Sequence, residues 1–243
     1  MINVFGLNIE FDRNVFDNTI STRIKEQGRG YVCVIDGNVL TMTYKNIAYQ
    51  NIVNSACVNT CDGSSIAMMA NWIYKTKYGV FNGPQLFEEY IEKDYRQIIL
   101  GNTEDIFENV KIKLQERGIK NDLFHLSLPF LDVENFDYPT IAQEINRIKP
   151  DIIWVSLGAP KQEVFMSKIQ PYLDRGIMFG IGAAVNFYTG AYKIPSFKMN
   201  NFSFIWLKRM FTEPKKQIKR VKGYISIFPF LFIDEIRKNR KKV

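Results

Sequence analysis

Residues 59–66 read "NTCDGSSI", which sets the carboxylate of Asp62 beside a glycine, between the apolar segment "SACV" and a run with helical spacing, "IAMMANWIYKTK". A carboxylate there has two uses: it can cap the free N–H groups of the helix that follows, or it can accept a proton from a bound hydroxyl. Three more stretches put a small turn in front of a helix. "GAPKQE" (158–163) predicts Pro160 at the first helical position, with exposed N–H groups, the positive end of a helix dipole and the charge of Lys161. That setting suits a phosphate, and equally an ordinary strand-to-helix connection in which Gln162 and Glu163 complement the dipole. "GIGAAV" supplies two glycines of a dinucleotide fingerprint, Gly180 and Gly182, and lacks the third, so alone it is weak evidence for NAD. "GNTE", beginning at Gly101, reads first as a helix cap through Asn102 or Thr103 and second as a ligand loop.

The elements that must carry these turns are legible as alternating strands and helices. "RQIILGNTEDIFENVKIKLQERG" predicts a buried strand at Ile98–Leu100, a loop, and a helix ended by Gly118. "DIIWVSLG" predicts another strand, the turn Gly158-Ala159-Pro160 and a helix, and "GIMFGIGAAVNF" a strand entering a glycine loop. Earlier, "YVCVIDGNVLTM" reads as strand, Asp36-Gly37 turn, strand, and "YKNIAYQNIVNSA" as a helix. This alternation implies a parallel sheet covered on both faces, with ligands bound beyond the carboxyl ends of its strands.

At 243 residues and 46% hydrophobic, the chain can bury one large α/β domain or two closely packed lobes. No biased tract or internal repeat interrupts it, and the alternating N-terminus lacks a signal-peptide pattern, so a cytoplasmic protein is expected. Cys33, Cys57 and Cys61, with a single histidine at His125, read as reduced packing residues rather than as a disulfide framework or a zinc site. The basic charge is local. Residues 214–243 sum to +8 against +7 for the whole chain, so the remainder is close to neutral. A nucleic-acid binder would spread such charge over a folded face, whereas here it flanks "GYISIFPFLFI", too short for the ~20 apolar residues of a membrane span. No nucleic-acid partner is expected.

Taken in order, "CDGSS", "VFNGPQLF", "IILGNTE", "KPDIIWVSLGAPKQE", "GIGAAVNFYTG" and "WLKRMFTEPKK" resemble the motifs of the WecG/TagA/CpsF glycosyltransferases, family 26, from about Asn38 to Arg220. The resemblance implies an inverting transferase that moves a sugar from a UDP-sugar to a polyprenyl-diphosphate-linked acceptor at the inner face of the bacterial membrane. It implies a parallel-sheet Rossmann-like core of two closely packed lobes with a C-terminal basic amphipathic helical appendage. The implied divisions are 1–195 for the core (acceptor and base lobe about 1–95, nucleotide lobe about 96–195) and 196–243 for the membrane-associating appendage.

The resemblance assigns Asp62 as general base, and Thr41 to a strand end that reads Thr-x-Asn in the family. Thr43 replaces the amide there. Asn186 stands where many members carry Asp, "KRAP" becomes Lys193-Ile194-Pro195, and Ile205 replaces a Glu before Trp206. Breaking the sugar–UDP bond develops charge on the diphosphate. No Asp-x-Asp motif is present and the resembling family uses no metal, so that charge falls to the helix N-termini after Gly101 and Gly158, to Lys161, and to Arg209 or Arg220 from the tail. Gln162 is the expected donor-orienting amide, and Gly182 and Asn186 complete the donor loop; His125 lies outside every motif. The tail, with Trp206, Phe211, Phe228, Phe230 and Phe232 among its basic residues, fits a segment lying on an anionic membrane, and Pro229 predicts two short helices. The same tail could pack on its own core or on a neighbouring subunit, as in a homo-oligomer. An NAD-dependent dehydrogenase would not explain the tail, and a non-enzymatic basic adaptor would leave "GAPKQE" and Asp62 without a task.

Overall fold

The computed structural model describes residues 1–191, 198–199, 202–203 and 214–240. The chain opens with a hairpin of β1 (Ile2–Val4) and β2 (Leu7–Ile9), and Glu10 then bridges to Thr60 on the main sheet. That sheet is built from β3 (Arg29–Ile35), β4 (Val58–Cys61), β5 (Gln97–Leu100), β6 (Leu123–Leu126), β7 (Ile152–Val155) and β8 (Gly176–Gly180). Its order is β4-β3-β8-β7-β5-β6, with every pairing parallel.

Strand side chains alternate between two apolar layers because both faces are covered. Val32, Val34, Ile99, Ile152, Trp154 and Phe179 pack beneath α1 (Arg13–Lys25), α5 (Gly83–Ile91), α6 (Glu104–Glu116) and α9 (Ala184–Tyr188). Cys33, Ile35, Ile98, Leu100, Ile153 and Val155 face α2 (Gly37–Lys45), α3 (Ile47–Asn54), α4 (Ser64–Tyr74), α7 (Tyr138–Ile148) and α8 (Lys161–Ile169). The three cysteines are free, with Cys33 and Cys61 buried. β5 connects outward to β6 while β7 connects back to β8, so the loops after β5 and β7 diverge and leave a crevice at the carboxyl edge. The sheet takes β3 and β4 from before residue 95 and its other strands from after it.

Two expectations fail here. The predicted hairpin at Asp36-Gly37 is instead a strand followed by a helix: Asp36 Oδ1 accepts from the Val39 N–H at 2.8 Å and caps α2. The β-branched run "VLTMT" favours a strand locally, but burying Val39, Leu40 and Thr43 against the sheet overrides that preference. Pro229 does not divide the tail. α10 (Pro214–Arg240) runs through it, held on both sides by the buried Ile227, Leu231 and Glu235 against α2 and α4. Those contacts offset the backbone hydrogen bond that proline removes. The two-residue strands β9 (Lys198–Met199) and β10 (Phe202–Ser203) pair with each other. Lys193, Ile194, Pro195, Ile205, Trp206, Arg209 and Phe211 lie outside the described residues. Among the described residues no helix is long and apolar enough to cross a membrane.

Candidate active site

Each of the three loops at the crevice turns on a glycine in the left-handed region: Gly101 at φ +85°, Gly158 at +74° and Gly182 at +54°. Glycine reaches that conformation without the steric cost of a Cβ. The loops after β5, β7 and β8 thereby bend back over the strand ends, and side chains tie them together. Gln162 is buried, and its Oε1 accepts from the N–H groups of Gly158 (3.1 Å) and Gly182 (3.0 Å). Ser156 donates its hydroxyl to the Gly182 carbonyl and stands 3.5 Å from Asn102 Oδ1. Gln162 therefore occupies two amide donors that the sequence offers to a phosphate.

What aims the Gln162 amide lies underneath. Its Nε2 donates to Glu163 Oε1 at 2.8 Å, and Glu163 Oε2 accepts from the Tyr49 hydroxyl of α3 at 3.0 Å. Glu163 is fully buried, and burial pushes its carboxyl up to about 7; the hydrogen bonds from Gln162, the backbone and Tyr49 oppose the rise, and the Asp36 carboxylate adds to it. Burial also raises the Tyr49 phenol, with the charge of Glu163 adding to the effect.

Pro160 is the N-cap of α8 rather than its first residue, so the helix proper starts at Lys161. The Lys161 ammonium binds the Leu131 carbonyl and sits 5.2 Å from the centre of the Phe136 ring, which fastens the loop after β6 to α8. Thr103 caps α6 by position without a side-chain bond, and that helix already carries Glu104 and Asp105 in its first turn, which compete with an anion there. His125 on β6 bonds the Asn102 carbonyl through Nε2 (2.9 Å) and Glu104 through Nδ1 (2.8 Å), and stacks on Phe107. It thus pins the "GNTE" turn, a role its position outside the motifs concealed. Among the described residues the buried Asn102 Nδ2, in the loop after β5, and Asn186 Oδ1, on α9 after β8, have no hydrogen-bond partner. Buried polar atoms are nearly always paired, so these two ask for a ligand or water.

On the other side of β8, Asp62 follows β4. The N-cap of α4 is Gly63, so Asp62 stands one position before that cap. It is half-buried, and the Asp62 and Gly63 N–H groups both donate to Ile35 O, at 2.9 and 3.3 Å. Because Ile35 is in register with Cys61, Asp36 and Asp62 emerge level at neighbouring strand ends. Burial and the Asp62 charge together push the Cys61 thiol up to about 12.

Thr41 and Thr43 are not at a strand end. Both are buried on α2, their hydroxyls bonded to the carbonyls of Gly37 (2.7 Å) and Leu40 (3.0 Å). The residue at the end of β3 is Asp36, missed because α2 reads locally as a strand. The tail reaches this side of the site: a Cβ on Gly37 would lie 3.2 Å from the Tyr224 ring, and the Tyr224 hydroxyl donates to Ser65 Oγ at 3.1 Å. Arg220 is half-buried one turn earlier on α10. A cavity of about 450 Å³ between Asn146, Arg147 and Tyr172 lies at the amino-terminal edge of the sheet, away from these groups.

The description "Glycosyl transferase WecG/TagA/CpsF family" matches residues 2–242, almost the whole chain. The chain belongs to this family. Among its relatives are proteins of Staphylococcus aureus strains NCTC 8325 and COL, each named N-acetylglucosaminyldiphosphoundecaprenol N-acetyl-beta-D-mannosaminyltransferase. Each is 25% identical over 240 residues, covering 93% of this chain and 92% of the relative. As a WecG/TagA/CpsF member the protein is a glycosyltransferase, and the crevice described above is its candidate active site.

Proposed function

We propose that this glycosyltransferase moves an N-acetylmannosamine-type sugar or a hexose from a UDP-sugar to a polyprenyl-diphosphate-linked sugar, with inversion and without a metal ion. The relatives' name, a mannosaminyl transfer to an N-acetylglucosaminyl diphosphoundecaprenol, supports this acceptor class. In this reading the glycine turns after β5, β7 and β8 receive the UDP moiety, and Asn102 Nδ2 and Asn186 Oδ1 supply a donor and an acceptor to it. Asp62 takes the proton of the acceptor hydroxyl as that oxygen attacks the anomeric carbon, and UDP departs from the opposite face. The N-terminus of α8, with Arg209 or Arg220, meets the charge growing on the diphosphate. The tail holds the protein on an anionic membrane, where a lipid-linked acceptor resides.

One observation carries the reading: Asp62 opens on the same sheet edge as the glycine turns, three strands from β7. At about 4.8 Å per strand the separation is roughly 14 Å, room for a donor sugar and an attacking hydroxyl. UDP at a hundred times its dissociation constant should raise the melting temperature by about 5–10 °C, and NAD should leave it unchanged. Asp62→Asn should still bind UDP and lose turnover by about 10²–10⁴. Full activity in that variant, or a shift with NAD instead of UDP, overturns the assignment.

A further inference from the structure

Met68 and Trp72 stand on one face of α4, four residues apart, 54% and 67% exposed. The Trp72 ring lies 5.1 Å from Phe232 of α10, and Phe232 stacks on Phe228 at 6.0 Å. Next to these rings α10 turns outward a stripe at four-residue spacing, Val221, Ile225, Pro229 and Ile233, of which Ile225 is 63% exposed. The two helices are fastened along their length, by Tyr224 to Ser65, by Tyr74 to Glu235 and by Asn239 Nδ2 to the Ile73 carbonyl at 3.1 Å. An apolar face continuous across two locked helices marks an interaction surface rather than scattered exposed residues.

Exposed cations border it, Lys75 and Lys77 just beyond α4 and Lys222 and Arg240 on α10. An isologous contact with a second copy would set this basic rim against itself, whereas an anionic lipid surface complements it. We propose that α4 and α10 form a single lipid-facing plate, in which Met68 and Trp72 of the catalytic core enter the headgroup layer of an anionic membrane together with the α10 stripe. This rests on the membrane reading of the tail and adds a core helix to it. α4 begins at Ser64, two residues after Asp62, and eight helical steps of 1.5 Å set Trp72 about 12 Å along the axis from that start. Lipid contact through α4 then fixes the height of the base above the membrane.

The test uses the full chain carrying Trp206→Phe, so that Trp72 and the buried Trp154 are the remaining indoles. Vesicles of equal parts phosphatidylglycerol and phosphatidylethanolamine with brominated acyl chains should quench Trp72 on binding. Adding Trp72→Ser should remove the quenching and weaken vesicle binding about tenfold, the loss of one large interfacial aromatic. Binding without quenching, and unaltered by Trp72→Ser, overturns the plate while leaving the tail as an anchor. Absence of vesicle binding by the full chain overturns the membrane reading itself and the plate with it. A dimer in sedimentation velocity that Trp72→Glu dissociates assigns the face to a second copy and likewise overturns the proposal.

Discussion

Glu163 is the residue whose chemistry the sequence least announced. Its neighbours in the chain suggest a first-turn acid complementing a dipole, yet its partner Tyr49 is 114 residues away and its carboxyl lies in the core. Only the fold brings these groups together, so no motif could have exposed the link that aims Gln162 at two glycine turns. A carboxyl raised from 4.5 to about 7 binds its proton more tightly in the folded state. Between these values the folded protein holds more protons than the unfolded chain, so stability falls as pH rises through the window and levels off above it. The loss is bounded at about 3 kcal/mol, from a shift of about 2.5 pH units at 1.36 kcal/mol each. Urea unfolding across pH about 5 to 8 should show this slope in the wild type and a much flatter profile in Glu163→Gln. A slope of equal size in the variant would place the titration elsewhere. Gln162→Leu should leave the Gly158 and Gly182 N–H groups unpaired, at about 1–3 kcal/mol each, and weaken UDP binding measured by calorimetry.

Elements were legible where periodicity and punctuation agreed. The apolar runs ending in Gly101, Gly158 and Gly182 predicted strands feeding helices, and β5, β7 and β8 stand there because those glycines relieve the turn. α2 was misread because Asp-Gly serves a hairpin and a helix N-terminus equally well, and only the layer beneath decides. Strand order was not legible: β8 enters between β3 and β7, a non-local choice written in no single segment. The continuity of α10 through Pro229 likewise depends on its seat on α2 and α4. That seat can be probed at Gly37. A valine there must displace the Tyr224 ring, 3.2 Å from the position of the new Cβ. Overpacking of this kind costs about 1–3 kcal/mol. Gly37→Val should lower the urea midpoint and speed proteolytic cleavage within α10; unchanged cleavage would mean that the N-terminal half of α10 is held by other contacts.

At the scale of the whole molecule, the charge of the tail and its packing do different work, and a deletion confuses them. Removing the chain after Thr212 would strip Ile227 and Leu231 from the core along with the basic residues, so loss of vesicle binding could follow from unfolding alone. Lys238 is a poor target too, since its ammonium lies 3.4 Å from the buried Glu235, which would lose a counter-charge. Lys222 and Arg240 are exposed and suit the purpose. Near an anionic surface each basic residue is worth about 1 kcal/mol, so Lys222→Gln with Arg240→Gln should weaken binding to phosphatidylglycerol vesicles roughly thirtyfold. The same pair should leave the melting temperature nearly unchanged, because neither side chain supports the core. Added salt should narrow the gap between wild type and variant as screening shortens the reach of the charges, while the apolar contribution persists. A gap that survives high salt would show that Lys222 and Arg240 act through local packing, and the electrostatic account of the tail would then have to be withdrawn.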